Sequence, residues 1–161
     1  MKTWIVLLVL VLCLAGCSDP TWETLGSVEH VSATLPPMAV VTLQLPQEAA
    51  VLSATGTDTI YLCDGYSIAL QTVSAGDLTA TIRSISGYDP AELTVLESGS
   101  TIKRYDLVWS AAGEAGAQVC RGVILDDGNY HYTLTLMADA QQVLSLQESW
   151  NALLTSFDLE A

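Results

Sequence analysis

The sequence predicts an α+β fold, in which an antiparallel β-sheet is covered by a middle helix and a C-terminal helix. Apolar and polar residues alternate along several short segments, as they do in strands that bury one face. Two other segments carry apolar residues at helical spacing, one in the middle of the chain and one near its end. This order of strands, helix, long meander and final helix is typical of a layered α+β domain.

The first 16 residues predict a secretory signal rather than a structural element. Lys2 is followed by an apolar run over residues 4–14, which would be roughly 16 Å long as a helix. A bilayer core is about 30 Å thick, so this run is too short to span it. Small residues follow the run, as in signals that are cleaved.

The four residues Leu14-Ala15-Gly16-Cys17 resemble the bacterial lipobox. In that family the Cys sulfur receives diacylglycerol and a peptidase cuts the chain before it. The resemblance implies lipid on Cys17, which would hold the protein on a membrane without a transmembrane helix. Two alternatives are an ordinary signal peptide with a chance cysteine and an uncleaved anchor.

Cleavage before Cys17 divides the chain into three parts: a signal peptide over residues 1–16, a lipidated tether over 17–37, and one α+β domain over 38–161. Asp19-Pro20 and Pro36-Pro37 disfavour regular structure in the tether. The cut removes 16 of the 161 residues and leaves 145, enough for one domain with a real core.

The first half of the domain is predicted to form four strands. Their residues are rich in β-branched side chains, and turns with Thr55-Gly56-Thr57-Asp58 and Asp64-Gly65 separate the later ones. The predicted strands cover residues 38–45, 50–53, 59–63 and 66–73.

A helix follows, because Leu78, Ile82 and Ile85 fall on one helical face. Asp77 is placed to cap its start and Gly87 to end it.

The strongest pattern is a three-stranded antiparallel meander after an edge strand over residues 93–97. Its strands cover residues 101–110, 118–125 and 129–137, and Asp126-Asp127-Gly128-Asn129 forms the last tight turn. In the last strand one face carries Tyr130, Tyr132, Leu134 and Leu136, and the other carries His131, Thr133 and Thr135. This alternation predicts a sheet with one covered side, which leaves His131 half-exposed.

The chain closes with a predicted helix. Ser145 and Glu148 have the spacing of a capping box. An apolar stripe wide enough to lie on a sheet follows at helical spacing: Leu146, Trp150, Leu153, Leu154 and Phe157.

Residues 38–158 resemble the PsbP-like fold. The resemblance rests on the element order, on the helix that leads into SGYDPAEL, and on the segment from Asn129 to Leu134 followed by Trp150 and Ser156-Phe157. Members of that group range from photosynthetic accessory subunits to bacterial lipoproteins, so the resemblance implies a fold and no particular function.

Two cysteines, Cys63 and Cys120, remain in the predicted domain, and two alternatives are open for them. Export permits a disulfide, which would stabilise the fold by roughly 4 kcal/mol on a chain-entropy model. Otherwise they are two buried thiols. Neither lies in a CxxC motif, so a catalytic role is not expected.

Charge excludes some partners. The formal net charge is −13, and loss of Lys2 with the signal makes it −14. The remaining cations are scattered, which argues against nucleic acid and against docking to anionic headgroups. They are Arg83, Lys103, Arg104 and Arg121.

No metal site, cofactor site or catalytic motif is predicted. The Asp126–Asn129 carboxylates and amide suit calcium in type, but an EF-hand needs a Glu where Leu134 stands, so we interpret this segment as a turn. His30 and His131 lack the spacing and companions of a zinc site.

We therefore predict an extracytoplasmic lipoprotein that acts as a non-enzymatic binding or accessory module. Its partner would be an envelope protein or a ligand. The alternative is an envelope enzyme whose active site uses carboxylates.

Overall fold

The computed structural model describes residues 34–113 and 116–160. The strands are β1 (Val41–Thr42), β2 (Ala50–Ala54), β3 (Asp58–Cys63), β4 (Tyr66–Ser74), β5 (Val95–Ser98), β6 (Lys103–Gly113), β7 (Gly116–Asp126), β8 (Tyr130–Asp139) and β9 (Asp158–Leu159). Seven of them form an antiparallel sheet in the order β2-β3-β4-β8-β7-β6-β5. A separate two-stranded ladder joins β1 to β9. The helices are α1 (Leu78–Ser86) and α2 (Val143–Ser156), with a short 3₁₀ turn at Pro90–Glu92.

The predicted α+β class is confirmed, and so are most elements. The hairpin β2–β3, the strand β4, the edge strand β5 and the β6–β7–β8 meander all lie where the alternation places them. Gly65 and Gly128 take positive φ angles of 81° and 88° in their turns, a backbone conformation that glycine adopts without a steric penalty.

Helix α1 has the ends that the sequence predicts. The Asp77 side chain accepts a hydrogen bond from the Thr79 N–H, and Gly87 closes the helix with a φ of 78°. The helix buries Thr81, Ile82 and Ser86 against the sheet.

Both faces of the sheet are covered, which corrects the prediction of one covered side. On the first face α2 packs over Leu134, Leu136 and their neighbours through Trp150, Leu153 and Leu154. On the second face Ile82 of α1 packs with a second cluster of buried side chains: Tyr105, Leu107, Trp109, Cys120 and Ile124. Only one of these layers is visible in the alternation of β8, because its second face carries polar residues.

The absence of a side chain at Gly122 makes room in the second cluster. A Cβ atom there would lie 2.9 Å from Cζ3 of the Trp109 indole. The ring therefore lies across the β7 backbone, and close packing of β6 on β7 depends on this glycine.

The predicted strand over residues 38–45 is shorter in the structure. Only Val41 and Thr42 form a ladder, and they pair with β9 rather than with the main sheet. On either side of this ladder, side chains also hold the segment, since the Ala39 N–H donates to the Tyr132 hydroxyl at 2.8 Å and the Gln44 N–H to Ser156 Oγ at 3.1 Å.

The predicted capping box of the C-terminal helix is wrong. Helix α2 begins at Val143, two residues before Ser145, and Ser145 Oγ donates to the Gln142 carbonyl at 2.7 Å. The apolar stripe is confirmed, because Trp150, Leu153 and Leu154 are buried.

The end of the predicted tether already touches the domain. Residues 34–37 have no regular structure, but the Pro36 carbonyl accepts a hydrogen bond from the Tyr130 hydroxyl at 2.8 Å. Contacts with the sheet therefore begin at Pro36, inside the segment that the sequence assigns to the tether.

Candidate functional site

The lipobox lies outside the described residues. Cys17, the motif around it and His30 all precede residue 34. Lipidation of Cys17 stays a prediction.

Cys63 and Cys120 are free thiols in the structure, so the alternative of a disulfide between them is not the one found. Cys63 lies on β3 beside the first core, and Cys120 lies on β7 in the second. Two strands separate β3 from β7, so three interstrand spacings place the cysteines about 14 Å apart. A disulfide needs Cα atoms within about 7 Å. Burial raises the pKa of both thiols, which disfavours their reactive thiolate form.

The turn interpretation of Asp126–Asn129 is confirmed. Asp127 Oδ1 accepts hydrogen bonds from the N–H groups of Asn129 and Tyr130, both at 2.7 Å. Asp127 Oδ2 accepts from the Tyr132 hydroxyl at 3.0 Å. These carboxylate oxygens are used within the turn, which ties it to the strand that follows.

His131 is buried, and the prediction of a half-exposed histidine is wrong. Its exposed fraction is 3%, because α1 lies over this face of β8. Nδ1 lies 2.8 Å from Thr81 Oγ1, and Nε2 lies 3.8 Å from Asp126 Oδ2.

Hydroxyl, imidazole and carboxylate in a row are also the parts of a nucleophilic triad. Here the Nε2–carboxylate distance exceeds hydrogen-bond range, and the Thr81 hydroxyl is buried under its own helix. The arrangement therefore fits a polar contact that fixes α1 on the sheet.

Helix α1 leaves part of the second face uncovered. With nine residues it lies over the β6–β7–β8 side, and a groove of about 380 Å³ follows beside it over β3, β4 and β8. Ile85 of α1 forms one wall. The rest of the lining is apolar in the middle and polar at one end: Ile60, Ala69, Leu70, Met137, Thr133, Thr135, Asp58 and Gln71.

The hairpin next to this groove exposes apolar side chains. We call β2 and β3 together the edge hairpin, residues 50–63. Every residue of β2 is exposed, and Val51 and Leu52 are each 61% exposed. On β3, Ile60 is 38% and Leu62 47% exposed. Exposed apolar surface of this kind, beside a groove, is typical of an interaction site.

A carboxylate marks the polar end of the groove. The side chain of Gln71 and the hydroxyl of Thr57 hold the pKa of Asp58 below its ordinary value, so this group stays charged. Thr57 Oγ1 donates to Asp58 Oδ2 at 2.9 Å and Thr55 Oγ1 at 3.2 Å.

The sequence does not identify this surface. Alternation shows that Ile60 and Leu62 share a face, but whether another element covers that face depends on the length and position of α1. The one available signal is the lack of charge in β2.

No helix in residues 34–113 or 116–160 is long and apolar enough to cross a membrane. Within the same residues, no group of three or more His, Cys, Asp or Glu side chains is arranged to hold a metal ion.

The structure belongs to the class of α+β domains in which an antiparallel sheet carries a helix on each face. A similar solved structure is LpqN of Mycobacterium tuberculosis, described as involved in cell envelope biogenesis. The identity is 10%, the TM-score is 0.51, and the match covers 78% of this chain and 86% of LpqN. At this identity the likeness shows the fold alone.

Two further structures score lower. The Ran-binding protein Mog1p of Saccharomyces cerevisiae has a TM-score of 0.45 at 10% identity, over 74% of this chain and 89% of its own. The structure of a point mutant of Mog1 has a TM-score of 0.45 at 10% identity, and the match covers 74% of this chain and 90% of the Mog1 chain. No protein-family description and no curated protein matches the sequence. The resemblance to the PsbP-like group stays a prediction.

Proposed function

We propose that the chain is a lipoprotein of the bacterial cell envelope whose domain is a non-enzymatic binding module. Lipid on Cys17 holds it on a membrane, and the domain faces away from the cytoplasm. The observation that carries the binding function is the uncovered apolar surface formed by the edge hairpin and the groove beside α1.

The envelope location is supported by the first 17 residues. A short apolar run that ends in Leu14-Ala15-Gly16-Cys17 suits lipidation, and acyl chains hold a protein on a membrane without a spanning helix. The role described for LpqN in cell envelope biogenesis is consistent with this location. The acidic domain is repelled by anionic headgroups, so the lipid alone provides attachment.

The binding function is supported by what the surface would gain from a partner. Apolar area removed from water contributes about 25 cal/mol per Å², and Ile60 and Leu62, on the face that carries the groove, hold such area in solvent. A partner that covers them gains this free energy without any rearrangement of the sheet.

Fractionation of cells tests the location. Wild-type protein is expected in the membrane fraction and a Cys17→Ser variant in the soluble extracytoplasmic fraction, with the same circular dichroism spectrum. Mass spectrometry of the wild type should find Cys17 as the acylated first residue. An unmodified thiol, or a variant that stays with the membrane, would contradict the anchor.

Photo-crosslinking in intact cells tests the binding surface. A photoreactive amino acid is placed at Ile60 in the groove and, as a matched control, at Glu148 on the exposed side of α2. A discrete adduct from position 60 alone is expected. Equal adducts from both positions, or none from position 60, would overturn the assignment of this surface.

A further inference from the structure

We propose that the free edge of β2 docks an extended, basic segment of a partner polypeptide, which joins the sheet as its eighth strand. This inference rests on the proposed binding function and specifies its partner.

The backbone of β2 is available on one side. Among residues 34–113 and 116–160 the strand is hydrogen-bonded only to β3, and the sheet ends at β2. An edge strand presents unpaired N–H and C=O groups, and main-chain hydrogen bonds to such an edge are a recurring mode of peptide recognition.

The two edge strands of the sheet, β2 and β5, differ in how well they are protected against pairing with another strand. Strand β5 carries Glu97, whose carboxylate pairs with Lys103 at 3.3 Å. Strand β2 has the sequence Ala-Val-Leu-Ser-Ala, without charge or proline. Its one irregularity is a bulge between Val51 and Ser53, which puts no charged group on the edge. Charges, prolines and bulges all help to keep an edge unpaired, and β2 has only the bulge, so it is the edge without a charged or proline guard against pairing.

The exposed side chains of the edge hairpin suit an added strand. Val51 pairs with Tyr61 and shares its face of the sheet, whereas Ile60 and Leu62 lie one strand further in, on the face that carries the groove. Side chains on one face of the added strand would cover Val51, and long ones on its other face would reach Ile60 and Leu62.

Charge selects the kind of segment. Glu48 precedes β2, and Asp58 follows the turn after it. In the described part of the chain no cation lies within ion-pair distance of either carboxylate. The cations are engaged elsewhere: Arg83 with Asp89, Lys103 with Glu97, Arg104 with Asp106, and Arg121 in a hydrogen bond to Asn151.

The charges therefore favour a partner over a second copy of this chain. A segment with Lys or Arg on both sides of a β-branched centre complements the two carboxylates. A second mature copy would add another formal net charge of −14 to the assembly, that is, −13 less the charge of Lys2. Like charges at an interface oppose association.

Selection of binding peptides from a random displayed library tests the inference, because no peptide sequence has to be chosen in advance. The bait is the full-length protein purified in a non-ionic detergent. The test variant is Leu52→Lys, and the matched control is Leu96→Lys on the opposite edge, where the exposed fraction is 64%. Both side chains are exposed, so neither change is expected to disturb the fold.

We expect selected peptides to be basic and rich in β-branched residues. Leu52→Lys should weaken their binding by about tenfold or more, because it sets a cation against a basic strand, whereas Leu96→Lys should change it by less than about twofold. Hydrogen exchange should show slower exchange within residues 50–54 when a peptide binds.

Three results would overturn the inference: selected peptides that are not basic or no selected peptides at all, binding that survives Leu52→Lys, or unchanged exchange over residues 50–54. A dimer in sedimentation that Leu52→Lys abolishes would also overturn it, since the occupant would then be a second copy. If any of these results came together with a crosslinked adduct at position 60, the proposed binding function would stand. Only the proposal that the partner pairs with the β2 edge would then be rejected.

Discussion

The hydroxyl oxygen of Thr81 lies 2.8 Å from Nδ1 of His131, and this contact joins helix α1 to the central strand β8. Both side chains are buried, so neither can exchange its partner for water. A buried polar group without a hydrogen bond costs about 1–3 kcal/mol. The position of α1 on the sheet, and with it the wall of the groove at Ile85, therefore depends on this pair.

Replacing Thr81 with Val should destabilise the fold. Valine keeps the shape of threonine but leaves Nδ1 of His131 without a partner, so the free energy of unfolding should fall by about 1–3 kcal/mol. Thr79→Val on the same helix is the control, because in the described part of the chain Thr79 forms a hydrogen bond through its N–H and none through its hydroxyl, and a change within about 0.5 kcal/mol is expected. Urea denaturation measures both. Equal losses would show that the Thr81–His131 contact is not stabilising.

Asp127 should make stability depend on acid pH. Burial favours its neutral form, but hydrogen bonds from the Tyr130 and Asn129 N–H groups and from the Tyr132 hydroxyl outweigh burial and hold its pKa below the ordinary 3.8. A lowered pKa in the folded state stabilises the protein above the ordinary value, and this contribution is lost as pH falls through the folded pKa.

An Asp127→Asn variant isolates that contribution. At pH 6 it should be less stable than wild type by about 1 kcal/mol, after allowance for partial solvent screening. The difference should shrink as the pH falls below 3.8. Thermal melts between pH 6 and pH 2.5 measure it. A constant difference over this range would show that the carboxylate charge is not involved.

Gly122→Ala should disturb the second core. The new methyl group would lie 2.9 Å from Cζ3 of Trp109, so the indole must move within a packed layer. Overpacking of this kind costs about 1–3 kcal/mol. Gly56→Ala is the matched control, because a Cβ there meets nothing within 4 Å. Chemical denaturation followed by far-ultraviolet circular dichroism compares them, and similar stabilities for the two variants would contradict the close contact.

Trp150 should matter through its ring and not through its N–H. The side chain is 1% exposed, and its Nε1 has no hydrogen-bond partner within the described part of the chain. Trp150→Ala should therefore cost about 3–5 kcal/mol as a large buried side chain is lost. Trp150→Phe keeps an aromatic ring against Tyr66 and leaves a smaller cavity, so it should cost clearly less than Trp150→Ala. Equal costs in urea denaturation would indicate that the N–H is bonded after all.

The elements that the sequence predicts well are those set by near neighbours. Asp77 caps α1 through a bond to the N–H two residues away, and Gly87 closes it with a local backbone angle. The turn at Asp127 is likewise made by bonds that span two or three residues. Such features depend on residue type and spacing, which the sequence displays directly.

Features that depend on distant elements were not predictable in this way. The burial of His131 needs a helix 50 residues earlier to lie on its face of the sheet. The exposure of Ile60 has the converse cause, since α1 ends before it reaches β3. Alternation gives the two faces of a strand but not what covers each of them, so the candidate surface emerges only with the structure.

The hydrogen bonds that hold the N-terminal segment determine how tension would enter the domain. A pull on the chain ahead of Leu35 is transmitted through the Pro36 carbonyl and the Ala39 N–H to the hydroxyls of Tyr130 and Tyr132. Both belong to β8, which has a neighbouring strand on each side. These contacts precede β2 along the chain, so the load enters the sheet at its middle strand before it can reach the β2 edge.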